Sequence, residues 1–76
     1  MKRHDLHTEF PEFKEKIHDL KVSDTHFRRI FDKYDEVDQH IARIETGAEP
    51  TVDDVLNDLR LKRVVLKDEL YSLLTK

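Results

Sequence analysis

The sequence predicts an all-α fold, with a short N-terminal helix at about 9–21 and an antiparallel helical hairpin at about 24–46 and 52–74. Three observations predict it. Apolar residues recur in steps of three and four along three segments, the spacing that lines one face of a helix. The only glycine, Gly47, falls between the two longest segments, close to Pro50. Charged residues make up 41% of the chain, a level compatible with disorder. The apolar positions are strictly spaced, however, and that favours folded helices.

In the first segment Leu6, Phe10, Phe13, Ile17 and Leu20 share a face. Thr8 is the expected N-cap, because its hydroxyl can accept a bond from a free backbone N–H. Pro11 then falls in the first turn, where a missing N–H costs little. Residues 1–8 are expected to fray.

Val22-Ser23-Asp24 interrupts this helix, and Ser23 or Asp24 can cap the next. Phe27, Ile30, Tyr34, Val37, Ile41 and Ile44 then form a seam of coiled-coil type. Phe31 lies about 100° off that seam. The helix should stop near Thr46, with Gly47 at the C-terminal cap.

Ala48-Glu49-Pro50 makes the turn. Thr51-Val52-Asp53-Asp54 resembles a capping box with Asp54 in the place of Glu or Gln. Asp53 and Asp54 also suit the positive end of a helix dipole. Val52, Val55, Leu56, Leu59, Leu66, Leu70 and Leu73 then share a face that Lys62 and Arg63 interrupt.

A short loop between two helices of similar length makes them antiparallel neighbours. Equal rise then pairs residues whose numbers sum to about 97. Ile41 should meet Leu56, and Phe27 should meet Leu70. The first helix, on its short linker, should fold back over the open end.

Charge supports this register. Residues 45–58 carry acids and no Lys or Arg, while residues 59–67 carry Arg60, Lys62, Arg63 and Lys67 and no acid. In the hairpin this basic stretch faces Asp35, Glu36 and Asp38. Arg63 is expected beside Tyr34, paired with Asp35 or Asp38, its stem packed and its guanidinium reaching a carboxylate.

The third helix carries more apolar surface than a hairpin needs. Leu61, Val64 and Val65 point about 140–240° away from Leu59, and Tyr71 flanks them. Such a strip calls for a cover. The first helix is one candidate. A second copy of the protein is the other, and it is the favoured one because the short first helix must also cover Phe31 and the Phe27–Leu70 end.

A chain of 76 residues forms one domain with a modest core. It has no cysteine, so it has neither disulfides nor thiolate metal sites. No apolar run follows Met1-Lys2-Arg3, so no signal peptide is visible. No stretch approaches the roughly 20 apolar residues of a membrane span. The net charge of −3 gives no general attraction to nucleic acid or anionic lipid. Of five histidines, only His4 and His7 share a local face, and they lack further ordered ligands. No metal or cofactor is therefore expected. Ser23, Ser72 and the threonines lack an activating base, and no glycine-rich phosphate loop is present. The sequence thus predicts no catalytic residue and no small-molecule substrate. The letters of a retention signal in Leu66-Lys67-Asp68-Glu69-Leu70 carry no address, since Tyr71–Lys76 follow them in helical phase.

Several runs, in this order and spacing, resemble the YdcH-like family of small bacterial proteins, a domain of unknown function. They are Phe10-Pro11-Glu12-Phe13, Leu20-Lys21, His26-Phe27-Arg28-Arg29-Ile30-Phe31-Asp32-Lys33-Tyr34, Val37-Asp38, Ile41-Ala42-Arg43 and Leu66–Leu70. The resemblance covers about residues 10–74. It implies a cytosolic helical hairpin and supplies no catalytic or ligand residue. The chain departs from the family at Leu61, Val64 and Val65, where members tend to be more basic and polar.

The expected function is a non-enzymatic, cytoplasmic module that binds itself or another protein through Leu61, Val64, Val65 and Tyr71. Arg63, Asp35 and Asp38 would set its register. The alternative is a nucleic-acid accessory protein using Arg60, Lys62, Arg63 and Lys67.

Overall fold

A computed structural model describes residues 6–76, apart from the His7 side chain. Its elements are α1 (Leu6–Glu9), a 3-10 turn (Pro11–Phe13), α2 (Lys14–Ser23), α3 (Thr25–Glu45) and α4 (Asp53–Leu74). The described residues contain no strand. Helices α3 and α4 pack side by side as the hairpin, and α2 packs on α3. The fold class is therefore the one the apolar spacing predicts.

The N-terminal segment corrects one expectation. The helix placed at 9–21 is broken into three pieces, and Thr8 lies inside α1 instead of capping. The cause is Pro11, whose ring disfavours the α conformation in the residue before it. Phe10 accordingly adopts φ −129°, ψ 65°. Its N–H still closes the turn of α1 on the Leu6 carbonyl, at 2.9 Å. Residues 6–8, expected to fray, form an ordered turn in which Leu6 is 1% exposed. Residues 1–5 lie outside the described residues.

The corner between α2 and α3 is a single residue. Asp24 is extended, its N–H donates to the Leu20 carbonyl, and its Oδ1 accepts the Phe27 N–H at 3.1 Å. Of the two candidate caps, Asp24 is the one used. The Ser23 hydroxyl instead donates back to the Asp19 carbonyl.

Helix α3 ends where its glycine stands. Gly47 has φ +82°, a left-handed conformation that L side chains rarely adopt. Its N–H donates to the Ile44 carbonyl, and the Glu49 N–H donates to the Arg43 carbonyl. Carbonyls that have no partner inside the helix are thus satisfied.

The start of α4 corrects a second expectation. The N-cap is Val52, and no side chain caps the helix. The Thr51 capping box therefore does not form. Asp53 and Asp54 occupy the first turn, where the dipole favours their charge. Val52 is extended and exposed, so a short hydroxyl residue fits there without strain. Val52→Ser is expected to stabilise the protein by about 1 kcal/mol. For a domain of this size that raises Tm by roughly 4–8 °C, which thermal melting followed by circular dichroism would read.

The core lies at the open end of the hairpin. Leu6, Phe10 and Ile17 meet Phe27, Ile30 and Tyr34 of α3 and Leu70 and Leu74 of α4, with Phe13, Leu20, Phe31, Leu66 and Leu73 packed around them. The first helix thus folds back over this end. Towards the turn packing thins: Ile41 is buried, Leu56 and Leu59 are half-buried, and Val52 and Val55 are exposed.

Candidate functional site

Helix α4 faces α3 along Leu66 and Leu70, which leaves two flanks. At about 100° per residue, Arg63, Lys67, Tyr71 and Leu74 fall on one flank and Asp58, Lys62 and Val65 on the other.

The N-terminal segment occupies the first flank. Lys67 Nζ donates to Glu9 Oε2 at 3.2 Å and stands 5.6 Å from the Phe10 ring centroid. The Tyr71 ring lies 5.3 Å from Phe10 and 6.1 Å edge-on from Phe13. Nearer the middle of the hairpin, Arg63 Nη1 donates to Asp38 Oδ1 at 3.2 Å. The Asp38 side chain is 1% exposed and that of Arg63 17%. Of the two acids proposed for Arg63, the structure brings Asp38 to it. Asp35 accepts instead from the Gln39 amide at 2.7 Å.

The turn holds a smaller polar cluster. The Glu49 carboxylate accepts from His40 Nε2 and, at 3.4 Å, from Arg43 Nε. Since an ionised carboxylate only accepts, the shared proton sits on Nε2. The hydrogen bond from His40 does most to hold the Glu49 carboxyl below its ordinary pKa. Burial opposes that shift, and the charges of His40 and Arg43 with the Arg43 hydrogen bond add to it. These contacts tie the loop to the last turns of α3.

Among the described residues nothing covers the second flank. A groove of about 510 Å³ runs between α3 and α4, lined by Lys33, Glu36, Val37, Asp58, Leu61, Lys62, Val65 and Leu66. Among the described residues no serine, threonine or histidine lines it, so these walls offer no nucleophile and no imidazole base. Its apolar floor is accessible: Leu61 is 65% exposed and Val65 58%.

The four residues singled out as an interaction surface are therefore placed apart. Leu61 and Val65 line the groove. Val64, 52% exposed, stands on the outer side of α4. Tyr71 sits against Phe10 and Phe13 on the opposite flank. Sequence reasoning missed the α3 wall of the groove, because Val37 falls in the a/d steps and reads as hairpin seam. The available signal was Lys33 one helical turn before it, at a spacing of four. It also missed the contact between Glu9 and Lys67, which needs α1 to be ordered.

Among the described residues no group of three or more metal-ligating side chains could hold an ion. His4 lies outside the described residues, as does the His7 side chain. No helix among the described residues is long and apolar enough to cross a membrane.

Residues 27–74 match the model of a family described as "Protein of unknown function (DUF465)". The chain belongs to the DUF465 family. This is the family of the YdcH-like proteins that the sequence motifs resemble. The match begins at Phe27, inside α3, and ends at Leu74, the last residue of α4. For this DUF465 protein the family segment is thus the hairpin, and the segment that completes its core lies outside the match. No curated protein and no solved structure is detectably similar to it.

Proposed function

We propose that this DUF465 protein is a non-enzymatic module of the bacterial cytoplasm that acts by docking, the groove between α3 and α4 being its binding surface. The observation that carries the reading is the exposed floor formed by Leu61 and Val65 beside Val37 and Leu66. Leaving large apolar side chains in water forgoes about 1.5–3 kcal/mol each relative to burying them. A small domain with a modest core gains much by covering them. Its partner is a second copy or another protein. No metal, cofactor or small-molecule substrate enters the reading.

A photo-crosslinking residue in place of Leu61 tests this in living cells, with the same substitution at exposed Lys16 of α2 as control. Protein adducts should form from position 61 and not from position 16. Equal yields from both would overturn the reading.

Nothing in the structure favours the nucleic-acid alternative. Three of its four basic residues face acids within the chain: Arg63 on Asp38, Lys67 on Glu9, and Arg60 at 3.9 Å from Glu45. A cation neutralised in this way contributes little to counterion release from phosphate.

A further inference from the structure

We propose that the occupant of the groove is a second copy of this chain, packed antiparallel about a two-fold axis that crosses the groove at right angles to the helices. This rests on the docking reading above and names its partner.

The charges on the rim point to this partner. Four charged residues line the groove: Lys33 and Glu36 on α3, Asp58 and Lys62 on α4. All four are exposed, and among the described residues none of them forms an ion pair within the chain. That sets them apart from Arg60, Arg63 and Lys67 on the same helix, which have internal acids beside them.

Their order along the hairpin is systematic. Helix α3 runs from the open end towards the turn, so Lys33 precedes Glu36 by about 4.5 Å of rise. Helix α4 runs the other way, so Asp58 lies nearer the turn than Lys62 by about 6 Å. On both walls the base is therefore nearer the open end and the acid nearer the turn.

A two-fold axis across the groove reverses that order in the partner. Each basic end then meets the partner's acidic end, twice over, while Leu61 and Val65 of both copies cover one another. An isologous interface requires such self-complementarity. A parallel partner would place base on base and acid on acid, a like-charge juxtaposition that disfavours it.

The position along the helices fits as well. Asp35 is the midpoint of α3, and the midpoint of α4 lies between Arg63 and Val64. The groove spans the middle of both helices, so an axis through it overlaps the two hairpins along their full length.

The test uses the full chain in sedimentation equilibrium. Wild type is compared with K33E/K62E, whose rim is wholly acidic, and with E36K/D58K, whose rim is wholly basic. Circular dichroism establishes that both variants fold, as four exposed positions allow. Wild type should dimerise. Each variant alone should associate at least about tenfold more weakly. An equimolar mixture should recover a one-to-one heterodimer.

If wild type dimerises and the mixture does not recover, the dimer uses another surface and the inference fails. If wild type stays monomeric up to about 1 mM, where even millimolar association registers, the inference also fails. Crosslinking at position 61 then separates the two claims. Adducts to a different protein retain the docking reading and discard the second copy. No adduct at all discards both.

Discussion

Arg63→Leu is expected to lower stability by about 3 kcal/mol, a fall in Tm of roughly 12–24 °C for a domain of this size. The effect comes from what the substitution leaves behind. Asp38 is 1% exposed, and the Arg63 guanidinium at 3.2 Å offsets its lost hydration. Without that guanidinium, a buried carboxylate loses the countercharge that Arg63 supplies in a low-dielectric site, and this is far more costly than losing an exposed pair. A leucine fills the space of the Arg63 stem but not the charge. The companion Asp38→Leu/Arg63→Leu should therefore recover most of the loss, because two packed apolar groups replace two desolvated ions. Chemical denaturation of the two single variants and the double variant gives the coupling directly. Additive losses would exclude the pair as a unit. Lys67, which reaches Glu9 from a half-buried position, should show a smaller effect on the same assay.

The contact between Arg63 and Asp38 also shows what the sequence could convey. The steps from Phe27 to Ile44 and from Leu56 to Leu73 are local patterns with the helical period, and they give the hairpin at once. The basic run 59–67 facing acids in α3 follows from antiparallel packing alone. Asp38 and Asp35 could not be separated in that way, because the antiparallel register brings Arg63 near both and only the packing of the covered flank sets which of them is buried against it. Gly47 was legible for a different reason: a lone glycine after a helix marks a left-handed residue. Thr51 was misread because a cap depends on the chain's entry angle, and here Val52 carries the chain into the helix in extended form. The groove was half legible. Leu61 and Val65 stand out on α4 as apolar residues off the seam, whereas Val37 on α3 is part of the seam by spacing and of the open wall by packing. Periodicity assigns a residue to a face. It does not say where that face stops being covered.

The same limit governs the N-terminal segment, and Leu6→Ala tests it. The substitution is expected to cost about 3 kcal/mol, the range for truncating a fully buried leucine. Judged by its sequence alone, Leu6 belongs to a fraying end that precedes a proline, where the cost would be near zero. The structure instead sets it at 1% exposure in one cluster with Phe10, Ile17, Phe27, Tyr34, Leu70 and Leu74. Pro11 makes this possible by breaking the helix at Phe10. The chain then re-aims so that α1 packs on α4 and α2 on α3, with Lys67 held by Glu9 and Tyr71 by Phe10 and Phe13. Hydrogen exchange distinguishes the two views. If the segment belongs to the cooperative unit, Leu6→Ala should accelerate exchange in the last turns of α4 as well as in α1. If only α1 exchanges faster and the melting curve is unmoved, the segment is an appendage. The family match spans 27–74, and within that span the hairpin's open end presents Phe27, Ile30, Leu70 and Leu74 with nothing to cover them on one flank. The N-terminal segment closes that flank within the chain. Among the described residues the groove on the other flank has no such cover, and for that reason the two sides of one hairpin are expected to answer differently: truncating Leu6 should change stability, while replacing Leu61 should change association.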